Sequence, residues 1–414
     1  MAIFQAFRAL RPTAGEAAAV AALPYDAVGR EEARLIGEKN PKSFLHVDRA
    51  EMDLEKDIDL YDSRVYQKAK ENLDNMEQDG ILIQDETPCY YIYELTRRGK
   101  TQTGLVGCNS IDDYINGTVK KHELTREDKE QDRIRHVDTC DANTGPIFLA
   151  CRYPESLTAL MAQWKADHQP VYDFTAEDEV GHRVWVIDDA DVIQRIGEEF
   201  REISSIYIAD GHHRAASAVK VGLKRREEHP GYTGREEFNF FLSVVFPYEE
   251  LVILPYNRVI KDLHGMTVKA FLGALKFNFE LMLMPGFPCK PVEKHCMGLY
   301  VEGDWYHLKA WPDVYEKKDS VGQLDVSILQ DKVLAPILKI TDPRTDDRIQ
   351  FVGGNHKAAE LAKMADETGG AAFVMYPTSM EDLMEIADEH KLMPPKSTWF
   401  EPKLRSGLFI HKLS

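Results

Sequence analysis

From Ser204 to Lys220 the chain reads SSIYIADGHHRAASAVK. Two adjacent histidines and an arginine are costly to hide, so their place between an apolar run and a helix-forming run calls for a partner. Ser205–Ala209 is a strand-like apolar run. HRAASAVKVGLK is built from good helix formers with no breaker before Gly222. The expected geometry is therefore strand, Asp-Gly turn, helix. The first N–H groups of such a helix have no intrahelical partner, and the helix dipole adds partial positive charge there. Gly211 allows a tight turn and a close approach by an anion. His212, His213 and Arg214 add side-chain donors around the same point, Arg214 with a fork suited to phosphate oxygens. Asp210, Gly211, His212, His213 and Arg214 thus read as a phosphate site. Two other readings stay open, a plain Asp-Gly turn carrying surface histidines and a metal site. Neighbouring histidines do not share a helix face, which weighs against the metal.

A second chemical centre is NGTVKKHELTREDKEQDRIRHV, where Glu123 follows His122 just before Thr125. A carboxylate in a loop, beside a histidine and two lysines, suits a general base or a magnesium ligand. The charged residues from Arg126 to His136 read instead as a solvated helix face, with Thr125 and Asp128 as a capping pair. Asn143, Thr144 and Gly145 form a polar loop entering a strand, either a third wall of the site or a structural turn.

The surrounding elements follow from pattern. A helix is expected after Val28, ending at Asn40-Pro41. SRVYQKAKENLDNMEQDG is an amphipathic helix closed by Gly80. CYYIYELTRRGKTQTGLVGCNSI reads as two strands around an Arg-Gly turn. GPIFLACRY, RVWVIDD and SSIYIAD are further strands, and EFNFFLSVVFPYEELVILPYNRVI reads as a hairpin around Pro247. Beyond Lys261, RIQFVGGNHKAAELAKMAD and GGAAFVMYPTSMEDLMEIADEH each read as strand then helix, the second capped by Ser379. No regular βαβ alternation runs through the chain. The fold class expected is α+β, with one domain over residues 1–260 and a smaller α/β domain over 261–414.

The chain has 414 residues and a formal net charge of −18. That balance opposes broad nucleic-acid binding, which draws on Lys and Arg against phosphate. No apolar run is long enough to span a bilayer, and no signal peptide is apparent at the N-terminus. The six cysteines are scattered without a C-x-x-C pair, as expected for reduced thiols in the cytoplasm. Cys289 with His295 and Cys296 is the one cluster resembling metal ligands, and a weak one.

The blocks PYDAV, NPKSFLHV, QTGLVGC, KKHELTREDKE, ANTGPIF, IADGHHRAASA and PPKSTWFEPKLRSGL resemble those of a widespread bacterial family known only as a domain of unknown function. ADGHHRAASA also resembles the phosphate-binding motif of the ParB/sulfiredoxin-like superfamily, in the branch containing free serine kinase. That resemblance implies a mixed-sheet nucleotide-binding core. It implies ADP or ATP as cofactor, with Mg2+, and serine or phosphoserine as substrate. It casts Glu123, with His122 beside it, as the group that activates the serine hydroxyl. Asp210, His212, His213 and Arg214 become the phosphate cradle, and Gly211 the close backbone approach. Sulfiredoxin has a nucleophilic cysteine where this chain has His212, which opposes sulfinate repair. The partition proteins have Gly-Glu-Arg-Arg in place of Gly211–Arg214, and a helix-turn-helix reader that this chain lacks. The implied activity is phosphoryl transfer on serine, in either direction, or phosphoserine hydrolysis, with a role in serine biosynthesis. A non-catalytic nucleotide-binding regulator is the alternative.

Overall fold

The computed structural model describes residues 1–414. The chain divides into two compact units. The first takes Met1–Lys121, Thr125–Leu251 and Pro402–Ser414; the second takes His122–Leu124 and Val252–Glu401. The expected boundary after residue 260 lies beyond the strand Tyr256–Ile260, which belongs to the second unit, and the tail from Pro402 belongs to the first.

The first unit is organised by a nine-stranded mixed sheet. Its neighbours run in the order Val119–Lys120, Ile206–Asp210, Ile147–Cys151, Phe240–Pro247, Lys100–Ser110, Tyr90–Arg97, Gly181–Ile187 and Tyr172–Thr175, with Phe4–Gln5 beside Lys100–Ser110. Tyr90–Arg97 and Lys100–Ser110 are the expected hairpin, and Arg98 and Gly99 both take positive φ (50° and 77°), as a tight two-residue hairpin turn requires. Two pairs in the sheet are parallel, Ile206–Asp210 with Val119–Lys120 and Phe240–Pro247 with Ile147–Cys151; the others are antiparallel. This is an α+β arrangement. Its core joins Ile92, Leu105, Leu149, Ile208, Phe241 and Val245 from the strands to Ile196, Phe200, Ala215 and Val219 from the helices. A second apolar cluster packs the expected helices Arg30–Lys39 and Ser63–Gln78 through Ala33, Val65, Ala69 and Leu73.

The second unit holds a six-stranded sheet in the order Phe279–Leu283, Asp304–Ala310, Cys296–Val301, Ala371–Val374, Tyr256–Ile260 and Ile349–Gly353. Every pairing in it is antiparallel. The two expected strand–helix repeats are present, with helices Ala358–Thr368 and Met380–Asp388. Ser379 caps the second in a reciprocal box with Asp382, N–H to Oγ and N–H to Oδ2 both at 3.1 Å.

Two local expectations fail. Phe240–Pro247 and Tyr256–Ile260 do not form a hairpin. Each is a central strand with both edges taken by distant partners, and Pro247 followed by a single 3₁₀ turn ends the first of them. The charged helix also starts later than Thr125 and Asp128 suggest. It spans Glu127–Cys140 behind Arg126. The Thr125 hydroxyl is drawn off to Glu130 (2.7 Å), and Asp128 is taken by the Arg126 guanidinium (2.8 Å).

Candidate phosphate-binding site

Ile206–Asp210 is a buried strand and His212–Glu228 a 17-residue helix, so the local geometry read from the sequence is the one observed. The strand carries a bulge at its end. Tyr207 and Ile208 pair with Ala150 and Leu149, and the register then slips so that Asp210 pairs with Phe148. An extra residue of this kind bends a strand and re-aims the side chain that follows. Gly211 sits at the helix start with φ 93°, a conformation that L side chains rarely adopt. The intrahelical ladder begins with Ala215 N–H on Gly211 O (2.9 Å), so the amides of His212, His213 and Arg214 lie ahead of it.

Asp210 ties the turn together. One carboxylate oxygen accepts from the Gly211 N–H (2.9 Å), the other from Lys403 Nζ (2.7 Å). Burial alone would raise its pKa. Lys403, then Arg214 and His212, overcome that and hold it well below the usual carboxylate range. Arg214 folds back over the glycine. A Cβ added at Gly211 would lie 3.1 Å from Arg214 Nε and 3.2 Å from its Cζ. Arg214 Nη1 donates to Pro146 O (2.6 Å), and its buried Nε has no partner in the protein. His212 is buried. His213 accepts the Arg126 N–H on Nε2 (3.0 Å), which puts its ring proton on Nδ1 and ties the start of helix Glu127–Cys140 to this turn.

Beside Arg214 lies a small cavity of about 30 Å³, bounded also by Tyr25, Asp48, Arg133, His136 and Thr144 and by apolar side chains such as Ile147 and Leu242. It has room for one or two waters. The buried Arg133 guanidinium lies 4.1 Å from the centre of the Tyr25 ring and pairs with Asp132 at 2.8 Å. Thr144 donates to Asp48 (2.8 Å), and Asn143, Thr144 and Gly145 line this cavity. Burial, reinforced by Arg133, pushes His136 below its ordinary pKa, and its Nε2 lies 3.1 Å from Val47 O. A neutral His136 leaves Arg133 and Arg214 as the cations of this lobe.

Sequence reasoning missed Lys403, Arg133 and Tyr25. Lys403 lies in the block PPKSTWFEPKLRSGL, whose residue types gave no sign that the tail returns to Asp210. His122 and Glu123 fall in the second unit, where His122 O accepts the Met393 N–H (2.8 Å), while the Asp210–Arg214 turn falls in the first. All six cysteines are buried free thiols, and burial pushes Cys296 up to about 11. No helix is long and apolar enough to cross a membrane.

The cradle offers donors and cations, and its one carboxylate is already held by Lys403 and Gly211. Mg2+ prefers oxygen ligands and commonly arrives on substrate phosphates. Within the Asp210–Arg214 turn itself, Mg2+ therefore fits as a companion of bound nucleotide phosphates. A family model described as "Protein of unknown function (DUF1015)" matches residues 4–327. The chain belongs to this family. Three solved structures resemble this DUF1015 chain at low identity. Free serine kinase in complex with AMP is 14% identical, with a TM-score of 0.36 over 70% of this chain and 85% of that one. A conserved hypothetical protein from Pyrococcus furiosus is 15% identical (TM-score 0.36, 72% and 92% covered). C-terminally truncated SbnI from Staphylococcus aureus is 11% identical (0.37, 73% and 85%). No curated protein matches the DUF1015 chain.

Proposed function

We propose that the protein is a cytoplasmic phosphotransferase acting on free serine or phosphoserine with ADP or ATP, on a ParB/sulfiredoxin-like nucleotide-binding core. The observation that carries the reading is the turn from Asp210 to Arg214, a positive-φ glycine at a helix start with a guanidinium folded over it. Phosphoryl transfer needs charge neutralisation and positioning more than covalent help. Asp210, Gly211, His212, His213 and Arg214 hold the nucleotide phosphates, with Lys403 setting the charge of Asp210. Glu123, flanked by His122, takes the hydroxyl proton as serine oxygen bonds to the γ-phosphorus and ADP leaves. Run backwards, phosphoserine gives its phosphoryl group to ADP; with water as acceptor the products are serine and phosphate.

Two variants separate binding from chemistry. Arg214→Ala removes a charge-assisted contact of about 1.5–3 kcal/mol. It is expected to weaken ADP or phosphoserine binding roughly tenfold or more in calorimetry. Glu123→Gln is expected to keep that affinity and to lower turnover by roughly 10²-fold, followed as serine and ATP formed from phosphoserine and ADP. Unchanged turnover in Glu123→Gln would remove the catalytic role. The second reading, a nucleotide-binding regulator without chemistry, would then take its place.

A further inference from the structure

In the second unit, Arg258 projects from the strand Tyr256–Ile260 and is only 3% exposed. Its guanidinium donates to the carbonyls of Tyr256 and Lys396 and lies 5.1 Å from the Phe351 ring centre. No carboxylate faces it. The contrast with Arg133 is instructive. That side chain is also buried, but Asp132 and Asp48 outweigh the burial and raise its pKa. At Arg258 burial outweighs the one opposing pull, from Tyr256, with no carboxylate to add to it, and brings the pKa down to about 9. A buried cation without a counter-charge is expensive unless something else supplies one.

Arg258 lines a cavity of about 280 Å³. On the wall of the same cavity is Gln330, first residue of a π-helical turn, Gln330–Leu334. Such turns are rare and frequent at functional sites. The Gln330 amide donates to Ile340 O (2.9 Å) and Thr341 O (3.4 Å), which fixes its orientation. Its oxygen is buried with no donor against it. Asp342 and Arg344, also at the cavity, are paired with each other at 2.9 Å. Phe351, Pro394 and Pro395 supply apolar surface.

We propose that this cavity is a ligand site for a small 2-hydroxy or 2-amino monocarboxylate. The carboxylate meets Arg258, and the hydroxyl or ammonium donates to Gln330 Oε1. One guanidinium fork matches one carboxylate. A phosphate dianion would face a single unpaired cation and the Asp342 carboxylate. The site is separate from the phosphate cradle and does not depend on the activity proposed there.

Isothermal titration of the full chain with L-lactate and L-alanine tests it, with propionate and lactamide as controls. At least one of the two acids is expected to bind saturably. Propionate, lacking the donor, is expected to bind roughly tenfold more weakly than lactate, and lactamide, lacking the charge, not at all. Arg258→Gln should abolish binding. Gln330→Met, which leaves the cation in place, should bring lactate to the propionate level. Failure of both acids to bind overturns the proposal. So does lactamide binding as tightly as lactate, or acid binding that survives in a folded Gln330→Met protein undiminished.

Discussion

Gly211 meets two demands with one missing atom. Its φ of 93° lies where L side chains are strained, and an added Cβ would come within 3.1 Å of Arg214 Nε. Gly211→Ala should therefore cost about 1–2 kcal/mol of stability, the usual penalty for a left-handed residue. It should also move the Arg214 guanidinium, so ADP or phosphoserine binding weakens more than the stability loss explains. Urea unfolding and calorimetry on the same variant read the two effects separately. A protein that loses stability but keeps its full ligand affinity would show that the glycine serves the turn alone. At this scale the sequence was legible, because Asp-Gly-His-His-Arg carries its chemistry in consecutive residues. Arg258 was not legible. Nothing in VILPYNRVI distinguishes an arginine that will be buried without an acid from one at a sheet edge.

The strand–turn–helix at Ile206–Glu228 was readable because every determinant is local: an apolar run, a glycine, then a long stretch of helix formers. The Ser379 cap and the Arg98-Gly99 hairpin were readable for the same reason. The false hairpin around Pro247 shows the limit. Strand pairing is decided by distant edges, and Phe240–Pro247 finds both of its partners more than ninety residues earlier in the register Ser243–Gly107 and Ser243–Ile147. Lys403 is the same problem at the site, since it reaches Asp210 only because the tail from Pro402 packs into the first unit. Its removal makes a prediction for that element. Asp210 has a folded-state pKa depressed below its unfolded value, so the pair contributes stability above the ordinary carboxylate range and loses it as pH falls through the folded value. Lys403→Met should lower stability at neutral pH by about 1.5–3 kcal/mol, the scale of a hydrogen bond to a charged group. The difference from wild type should shrink as acid protonates Asp210. Denaturant midpoints from neutral to strongly acidic pH check both the size and the direction.

Across the whole molecule the two units have their own sheets and apolar cores, and the second buries a titratable carboxyl that the proposed chemistry does not use. Asp325 opens a short helix at 8% exposure, with one carboxyl oxygen lacking any partner. Burial raises its pKa to about 7, against the opposing pull of the His295 and Asp325 backbone N–H groups. The folded state then holds a proton that the unfolded chain has released between about pH 4 and pH 7. Stability therefore falls as pH rises through that window. A chain carrying −18 at neutral pH has a second reason for the same trend, because lowering pH relieves its self-repulsion. A substitution separates the two causes. Asp325→Asn keeps the side-chain shape and deletes the titration, while it changes the total charge by one at most. It should flatten the local part of the slope and raise stability above pH 7 on the order of 1–4 kcal/mol, leaving the shallower charge-repulsion trend in place. Urea midpoints at a series of pH values, for wild type and variant side by side, give the difference directly. Parallel curves would mean that Asp325 is ionised in the folded protein throughout, and that the trend belongs to the net charge alone.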